Sequence, residues 1–314
     1  MRVSRPVGAA IGAGVAVGAS ALVWGALIER NLFGVRHEVL PVLPSGADRL
    51  RILHLSDIHL APTQESKIDW IRSLAELEPD LVVNTGDNLG HLDAVEALEH
   101  TLAPFEGVPG VFVTGSNDYF APVFKNPLAY FAGPSAKPER EPDLDTPRML
   151  RFFEDTLGWT SLDNAAATTT IAGQRIEFFG AGDAHRGWDD LGALPRLIDD
   201  MREHLADDAP TTLSIGVTHA PYRRVLDAFV TQGADLMFAG HTHGGQVRIP
   251  GLPALVTNCD IPRDQAQGLS VWGHAGGAAY LEVSAGLGTS IYAPVRFACP
   301  PEAVLVDLVP VDIG

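Results

Sequence analysis

Two histidines one residue apart, His241 and His243 in Gly240-His241-Thr242-His243-Gly244-Gly245-Gln246, follow directly on the apolar run Asp235-Leu236-Met237-Phe238-Ala239. On a bending loop, side chains at i and i+2 project the same way, and flanking glycines let the backbone bring both rings near one point. Imidazoles so placed suit a metal centre, although a histidine-rich surface turn has the same composition. The rest of the chain separates the two readings. Other apolar runs of strand length end in Ser56-Asp57-Ile58-His59, Thr85-Gly86-Asp87-Asn88, Thr114-Gly115-Ser116-Asn117-Asp118 and Thr218-His219-Ala220-Pro221. In an open α/β sheet, groups just beyond the carboxyl ends of strands meet in one crevice. Asp57, His59, Asp87, Asn117, His219, His241 and His243 are therefore candidate ligands. Carboxylate, amide and imidazole donors suit Mn, Fe, Zn or Co, and a set without cysteine argues against a structural zinc site. These donors exceed the needs of one ion. Two divalent ions about 3.5–4 Å apart, bridged by a carboxylate and a hydroxide, would use them all and clamp a phosphorus centre for in-line displacement.

The elements that must position these groups follow from periodicity. Strands are expected at Arg51–Leu55, Asp80–Asn84, Gly110–Val113, Arg175–Phe179, Thr212–Thr218 and Asp235–Ala239, and amphipathic helices at Glu65–Leu77, Leu191–Leu205 and Tyr222–Val230. Their alternation implies an α/β layer architecture. A proline-containing insertion at about 121–145 interrupts the series, as a lid or a plain surface excursion. Pro6–Ile28 carries no charge over 23 residues, enough to span a bilayer as a helix. Residues 1–30 are accordingly expected to be an uncleaved signal anchor, a transmembrane helix, with 31–48 a linker and 49–314 the globular domain. Arginines flank both ends of the apolar run, so topology is weakly set; the free amino group favours a catalytic domain on the extracytoplasmic side of the cell membrane.

A formal charge of −17 over 314 residues argues against nucleic acid as a partner. An anionic substrate would then need local positive charge, which bound ions supply. Cys259 and Cys299 lack metal-binding spacing, and they suit a pair or two buried thiols.

In order and over roughly residues 49–309, the motifs Asp57-Ile58-His59, Gly86-Asp87, Gly115-Ser116-Asn117-Asp118, His219 and Gly240-His241-Thr242-His243 resemble the calcineurin-like metallophosphoesterase pattern DxH, GD, GNH[DE], lone His and GHxH. The resemblance implies a four-layered αββα sandwich with the metals at its rim. It also implies that Asp57, His59 and His243 hold one ion, that Asp87 bridges, and that Asn117, His219 and His241 hold the other. Gly244–Pro250, Ser284–Thr289 and Arg296–Glu302 resemble a membrane-associated, YkuE-like bacterial branch, which includes lipid A pathway hydrolases acting on UDP-diacylglucosamine. One motif departs from the family: Ser116 stands where the metal-binding Asn belongs and Asn117 where the family has its leaving-group histidine. A serine hydroxyl is a poor ligand, so Asn117 is expected to bind after a local backbone shift. Asp118, His185 and His91 are candidate replacement acids, each with a surface or supporting role as the bland alternative.

The function implied is metal-dependent hydrolysis of a phosphoester or pyrophosphate by a metal-bridging hydroxide, with Asp87, Asn117, Asp118 and His243 at the chemistry. The substrate is expected to be a phosphorylated small molecule or a lipid-linked or cell-envelope compound. A broad phosphodiesterase or nucleotidase is the enzymatic alternative, and a metal-binding scaffold the non-enzymatic one. Asn88, Arg248 and Arg296 are candidate phosphate contacts, against turn stabilisation for the first and ordinary ion pairing for the others. Tyr119, Phe120, Phe124, Tyr130 and Phe131 border the insertion and suit either an acyl chain or ordinary packing.

Overall fold

Runs of Val, Ile, Leu and Phe bounded by glycine and polar turns form two six-stranded sheets in the computed structural model, which describes residues 18–123, 140–203 and 211–311. The strands are β1 (Gly34–Leu43), β2 (Leu50–Leu55), β3 (Leu81–Asn84), β4 (Gly110–Phe112), β5 (Thr160–Ser161), β6 (Ala166–Ile171), β7 (Gln174–Ala181), β8 (Leu213–Thr218), β9 (Leu236–Ala239), β10 (Gly268–His274), β11 (Gly277–Val283) and β12 (Glu302–Pro310). The helices are α1 (Glu65–Ser73), α2 (Ala94–Leu102), α3 (Thr146–Arg151), α4 (Leu194–Glu203) and α5 (Arg223–Thr231).

The first sheet has the order β1-β12-β2-β3-β4-β5 and the second β10-β11-β9-β8-β7-β6. β2 to β5 are mutually parallel, as are β11, β9, β8 and β7, so each sheet sends several strand carboxyl ends to one edge. Leu50, Ile52, Leu81 and Val83 of one sheet share a buried cluster with Phe178, Ile215, Val217 and Phe238 of the other. The sheets are therefore stacked face to face. Their outer faces pack on Ile68, Leu98 and Phe153 on one side, and on Ile198, Leu226 and Phe229 on the other. The layers are thus helix, sheet, sheet, helix, as the resemblance implied.

The expected strands and helices are all present with small shifts of their ends. The linker expected at 31–48 is a correction: Gly34–Leu43 is an edge strand, parallel to β12. Its polar residues and its Pro41 made it read as a connector, but an edge strand tolerates a proline, and exposed side chains such as Val35 and Val39, because only one side must pair. Arg36 on this strand bonds Glu282 of β11 and Glu302 of β12, so the strand ties the two sheets together.

Residues 18–23 are helical, and the chain continues through a π turn, Trp24–Ile28. Among the described residues no helix is long and apolar enough to cross a membrane. The uncharged run lies outside the described residues as far as residue 17, as does most of the insertion, with Phe124, Tyr130 and Phe131.

Candidate metal centre

Every expected ligand lies just after a strand: Asp57 and His59 after β2, Asp87 after β3, Asn117 after β4, His219 after β8, His241 and His243 after β9. The loops are bent hard. Asp57 (φ 47°), His59 (φ 42°), Asp87 (φ 56°), His241 (φ 66°) and His243 (φ 48°) all adopt left-handed backbone, which costs a non-glycine residue of order 1 kcal/mol or more and concentrates at functional sites. The strain is held in place by hydrogen bonds between loops: Asp57 N–H donates to Gly86 O (2.9 Å), His59 N–H to Asp87 O (2.9 Å) and Gly288 N–H to Asp57 O (2.7 Å). Two glycines are required by close approach. A Cβ at Gly240 would collide with Ser56 Oγ and Asp57 Oδ2, and one at Gly115 with Asp87 Oδ1.

The side chains form two clusters joined by carboxylates. In the first, His59 Nε2 and His243 Nε2 are 3.2 Å apart and Asp57 Oδ1 is 3.6 Å from His243 Nε2. In the second, His219 Nε2 lies 3.5 Å from Asp87 Oδ2 and 3.3 Å from His241 Nδ1. Asp87 Oδ2 is also 3.6 Å from His59 Nε2, so it stands between an imidazole of each cluster. Asn117 donates to both Asp87 oxygens, from its backbone N–H (2.8 Å) and from Nδ2 (2.7 Å). A half-turn of that amide would present Oδ1 to the same place.

These groups fit divalent ions. Metal–nitrogen bonds of about 2.0–2.1 Å at tetrahedral angles place two ligand atoms roughly 3.3 Å apart, close to the imidazole spacings of 3.2 and 3.3 Å. Asp57 Oδ1 is buried and has no hydrogen-bond donor among the described residues, an expensive condition for a carboxylate unless a cation serves it. Its other oxygen is fixed by Ser56 Oγ (2.5 Å) and His241 N–H (2.9 Å). Ser56 in turn accepts from Thr85 Oγ1 (2.6 Å), which meets His54 Nε2 (2.9 Å), a buried polar chain that orients Asp57 and that no sequence motif signalled.

Charges differ across the site. Burial presses His243 down to about 3, so it is neutral with its nitrogen lone pair available. Burial acts on His219 too, but the Asp87, Asp183 and Asp57 carboxylates outweigh it and push His219 up to about 10. Burial opposes ionisation of Asp87, yet His219, His59 and the two Asn117 donors hold its carboxyl well below the usual carboxylate range. Asp183, buried beside this second cluster, was another residue without a sequence signal; its Oδ1 accepts from His185 N–H (2.8 Å).

The remaining candidates divide by what they touch. Asp118 is buried and spends both oxygens on the N–H groups of Asp87, Asn88 and Gly115 at 2.7–2.9 Å; burial and then Asp87 raise its carboxyl to about 7. Those bonds hold the loop ends in register, with Asn117 against Asp87. The His185 ring centroid is 4.6 Å from that of His241, and its Nδ1 meets the Tyr222 hydroxyl at 3.1 Å. The His91 side chain is partly exposed and lies 3.7 Å from the Asp93 carboxylate. Asn88 accepts from Asn84 Nδ2 through Oδ1 (2.8 Å), while its buried Nδ2 has no partner among the described residues. Arg296 is fully buried and bonds the carbonyls of Ala285, Gly286, Gly288 and Cys299, so it is a brace rather than either the candidate phosphate contact or the exposed ion pair; Nη2 lies 3.5 Å from His243 Nδ1. Arg248 is half-buried and donates to Gly244 O. Tyr119 and Phe120 pack with Trp188, the ordinary packing alternative for that pair. Cys299 is buried and Cys259 half-buried, and both are free thiols.

The chain is 25% identical over 278 residues, 85% of its length and 82% of the relative's, to the uncharacterized metallophosphoesterase YkuE of Bacillus subtilis. It is 24% identical over 322 residues, 90% of its length and 92% of the relative's, to UDP-2,3-diacylglucosamine pyrophosphatase LpxG of Chlamydia trachomatis. Among solved structures, a dimetal phosphatase from Danio rerio aligns with 76% of this chain and 88% of its own, at 11% identity and a TM-score of 0.40. The model of the calcineurin-like phosphoesterase family matches residues 50–245, a stretch that holds every ligand named above. The chain belongs to the calcineurin-like phosphoesterase family and is a metal-dependent phosphoric ester hydrolase.

Proposed function

We propose that this chain is a membrane-anchored hydrolase with a dinuclear centre, acting on a lipid-linked or cell-envelope pyrophosphate or phosphoester on the extracytoplasmic side. The observation that carries the dinuclear reading is the place of Asp87, whose Oδ2 is 3.6 Å from His59 Nε2 and 3.5 Å from His219 Nε2. Asp57, His59 and His243 would hold one ion, and Asn117, His219 and His241 the other, with Asp87 shared. Bound there, Mn, Fe, Zn or Co ions would supply an activated water nucleophile and neutralise the phosphate oxygens. The protein's own part is orientation. Ser56 and the His241 N–H fix Asp57, the Asn117 N–H fixes Asp87, and Arg296 keeps the loop under His243 closed. We assign the leaving-oxygen hydrogen bond to His185, the acid candidate packed against a ligand, with Tyr222 setting its ring.

The lipid-linked substrate and the anchor draw support from the uncharged run Pro6–Ile28 and from LpxG, whose name gives it a diacylated nucleotide sugar. The test is phosphate release by the purified full chain with Mn, Co or Zn, using Asp87→Asn as control. Equal rates for the two proteins would remove the metal mechanism. Comparing lipid-borne with water-soluble pyrophosphates would separate this reading from a broad phosphodiesterase whose anchor only sets location.

A further inference from the structure

The N-terminal helical segment is built inside out for a soluble protein. Its carboxylate, Glu29, is 6% exposed and accepts the Cys299 N–H (2.7 Å) and Trp24 Nε1–H (2.8 Å), while Leu22, Leu27 and Ile28 stand 62%, 64% and 42% exposed. Gly25 is buried because its carbonyl accepts the Arg296 N–H (3.1 Å) and a Cβ there would strike the Arg296 carbonyl. A helix in water normally turns its apolar stripe inward and its charge outward. The opposite arrangement suits an apolar surrounding.

The segment's neighbours continue the pattern. Arg296 and Phe297 lie between it and the loop that leaves the metal ligands: Phe297 N–H donates to Gln246 O (3.1 Å) and Arg248 N–H to Phe297 O (2.9 Å). On that loop Val247, Ile249 and Leu252, four, six and nine residues after His243, are 37%, 50% and 53% exposed. Three segments thus run side by side, the outer two carry exposed aliphatic side chains, and the middle one holds the arginine braced 3.5 Å from His243. Exposed apolar groups gathered in one place mark an interaction surface.

We propose that this apolar rim is a seat on the lipid bilayer, so that the metal cleft opens at the membrane surface and receives phosphorus from a headgroup still held in the leaflet. The inference rests on the anchored reading above and goes beyond it, since an anchor alone would leave the domain free to swing. The occupant is assigned as bilayer because the chain leading into the rim carries no charge from Pro6 to Ile28. An interfacial surface of this kind sinks its aliphatic side chains about 5–10 Å into the headgroup boundary.

The test uses the full chain in phosphatidylcholine vesicles whose acyl chains carry nitroxide. Bimane is attached at Leu252→Cys, Ile249→Cys or, as control, Val271→Cys, an equally exposed aliphatic position on β10. Labelled wild type gives the background from Cys259. Immersion at the depth expected of an interfacial surface should quench bimane at 249 and 252 by about twofold or more, and leave 271 unchanged. Unquenched probes at both 249 and 252 on a chain that co-sediments with the vesicles would overturn the seat alone, whatever else covers the rim. A chain that does not co-sediment would overturn the anchored reading as well.

Discussion

The two ligand clusters are made of similar donors but are held by different means. Asp57, His59 and His243 all have left-handed backbone, and their loops are clamped from several sides, by Gly288 N–H on Asp57 O, by Lys67 Nζ on Ile58 O (2.9 Å) and by Arg296 beneath His243. Apart from the shared Asp87, only His241 of the second cluster is so strained; His219 and Asn117 are not, and Asn117 reaches Asp87 from a single 3-10 turn, Ser116–Asp118. The first cluster thus has its geometry set by the fold before any ion arrives. The second depends on one amide and on Asp118, whose carboxylate pins three backbone N–H groups. Pre-ordered ligands bind more tightly because less freedom is lost on binding, so the first position should fill first.

Substituting the group shared by both clusters should have the largest effect. Asp87→Asn is expected to lower turnover of a soluble aryl diester by about a thousandfold or more, the scale seen when transition-state electrostatics are removed, while circular dichroism stays unchanged. His185→Gln should cost about a hundredfold with a poor alkyl leaving group, the usual scale of acid assistance, and far less with a nitrophenyl one. Equal losses on both substrates would make His185 a packing residue only. Asn117→Ala should weaken the second ion by roughly 10–100-fold and leave the first unchanged, as losses of single metal-supporting groups do. Ser116→Ala should change neither by more than about twofold, since a serine hydroxyl is a weak donor to such ions. An equal loss at both positions would erase the contrast between the clusters.

The two clusters should also differ in their response to pH. His243 is held down to about 3 by burial, so the first position has no proton to displace at neutral pH; His219 is pushed up to about 10 against its burial by Asp87 and Asp183. Filling the second position should therefore release about one proton near pH 7 and tighten by about tenfold per pH unit below pH 10. Calorimetry in buffers of different ionisation heat reads the difference. The metal-free chain should show the matching stability trend. The raised His219 contributes stability fully below the unfolded value of 6.5, and that part is lost as pH rises towards 10. The depressed His243 works in the opposite sense: stability is lost as pH falls from 6.5 towards 3, because only the unfolded chain takes up the proton.

The first cluster was readable from sequence because each ligand follows a strand with strong apolar periodicity, and strand ends converge by topology. The register at Asn117 was not, since it is set by Asp118 bonding to loops of two different strands, a long-range arrangement no local pattern carries. Arg296 misled for the same reason: its charge suggested a phosphate contact or an ordinary ion pair, but the backbone carbonyls it satisfies come together only in the fold. β1 was hidden because an edge strand needs apolar side chains on one face only, and β5, β6, β10, β11 and β12 were not anticipated although β12 pairs with both β1 and β2.

The most direct measurement is the number of ions bound per chain, by elemental analysis, in the wild type and in Asn117→Ala after loading with Mn or Zn and removal of excess. Two ions per wild-type chain and one in the variant is the predicted result. One ion in a fully active wild type would contradict a shared Asp87 and a second position at Asn117.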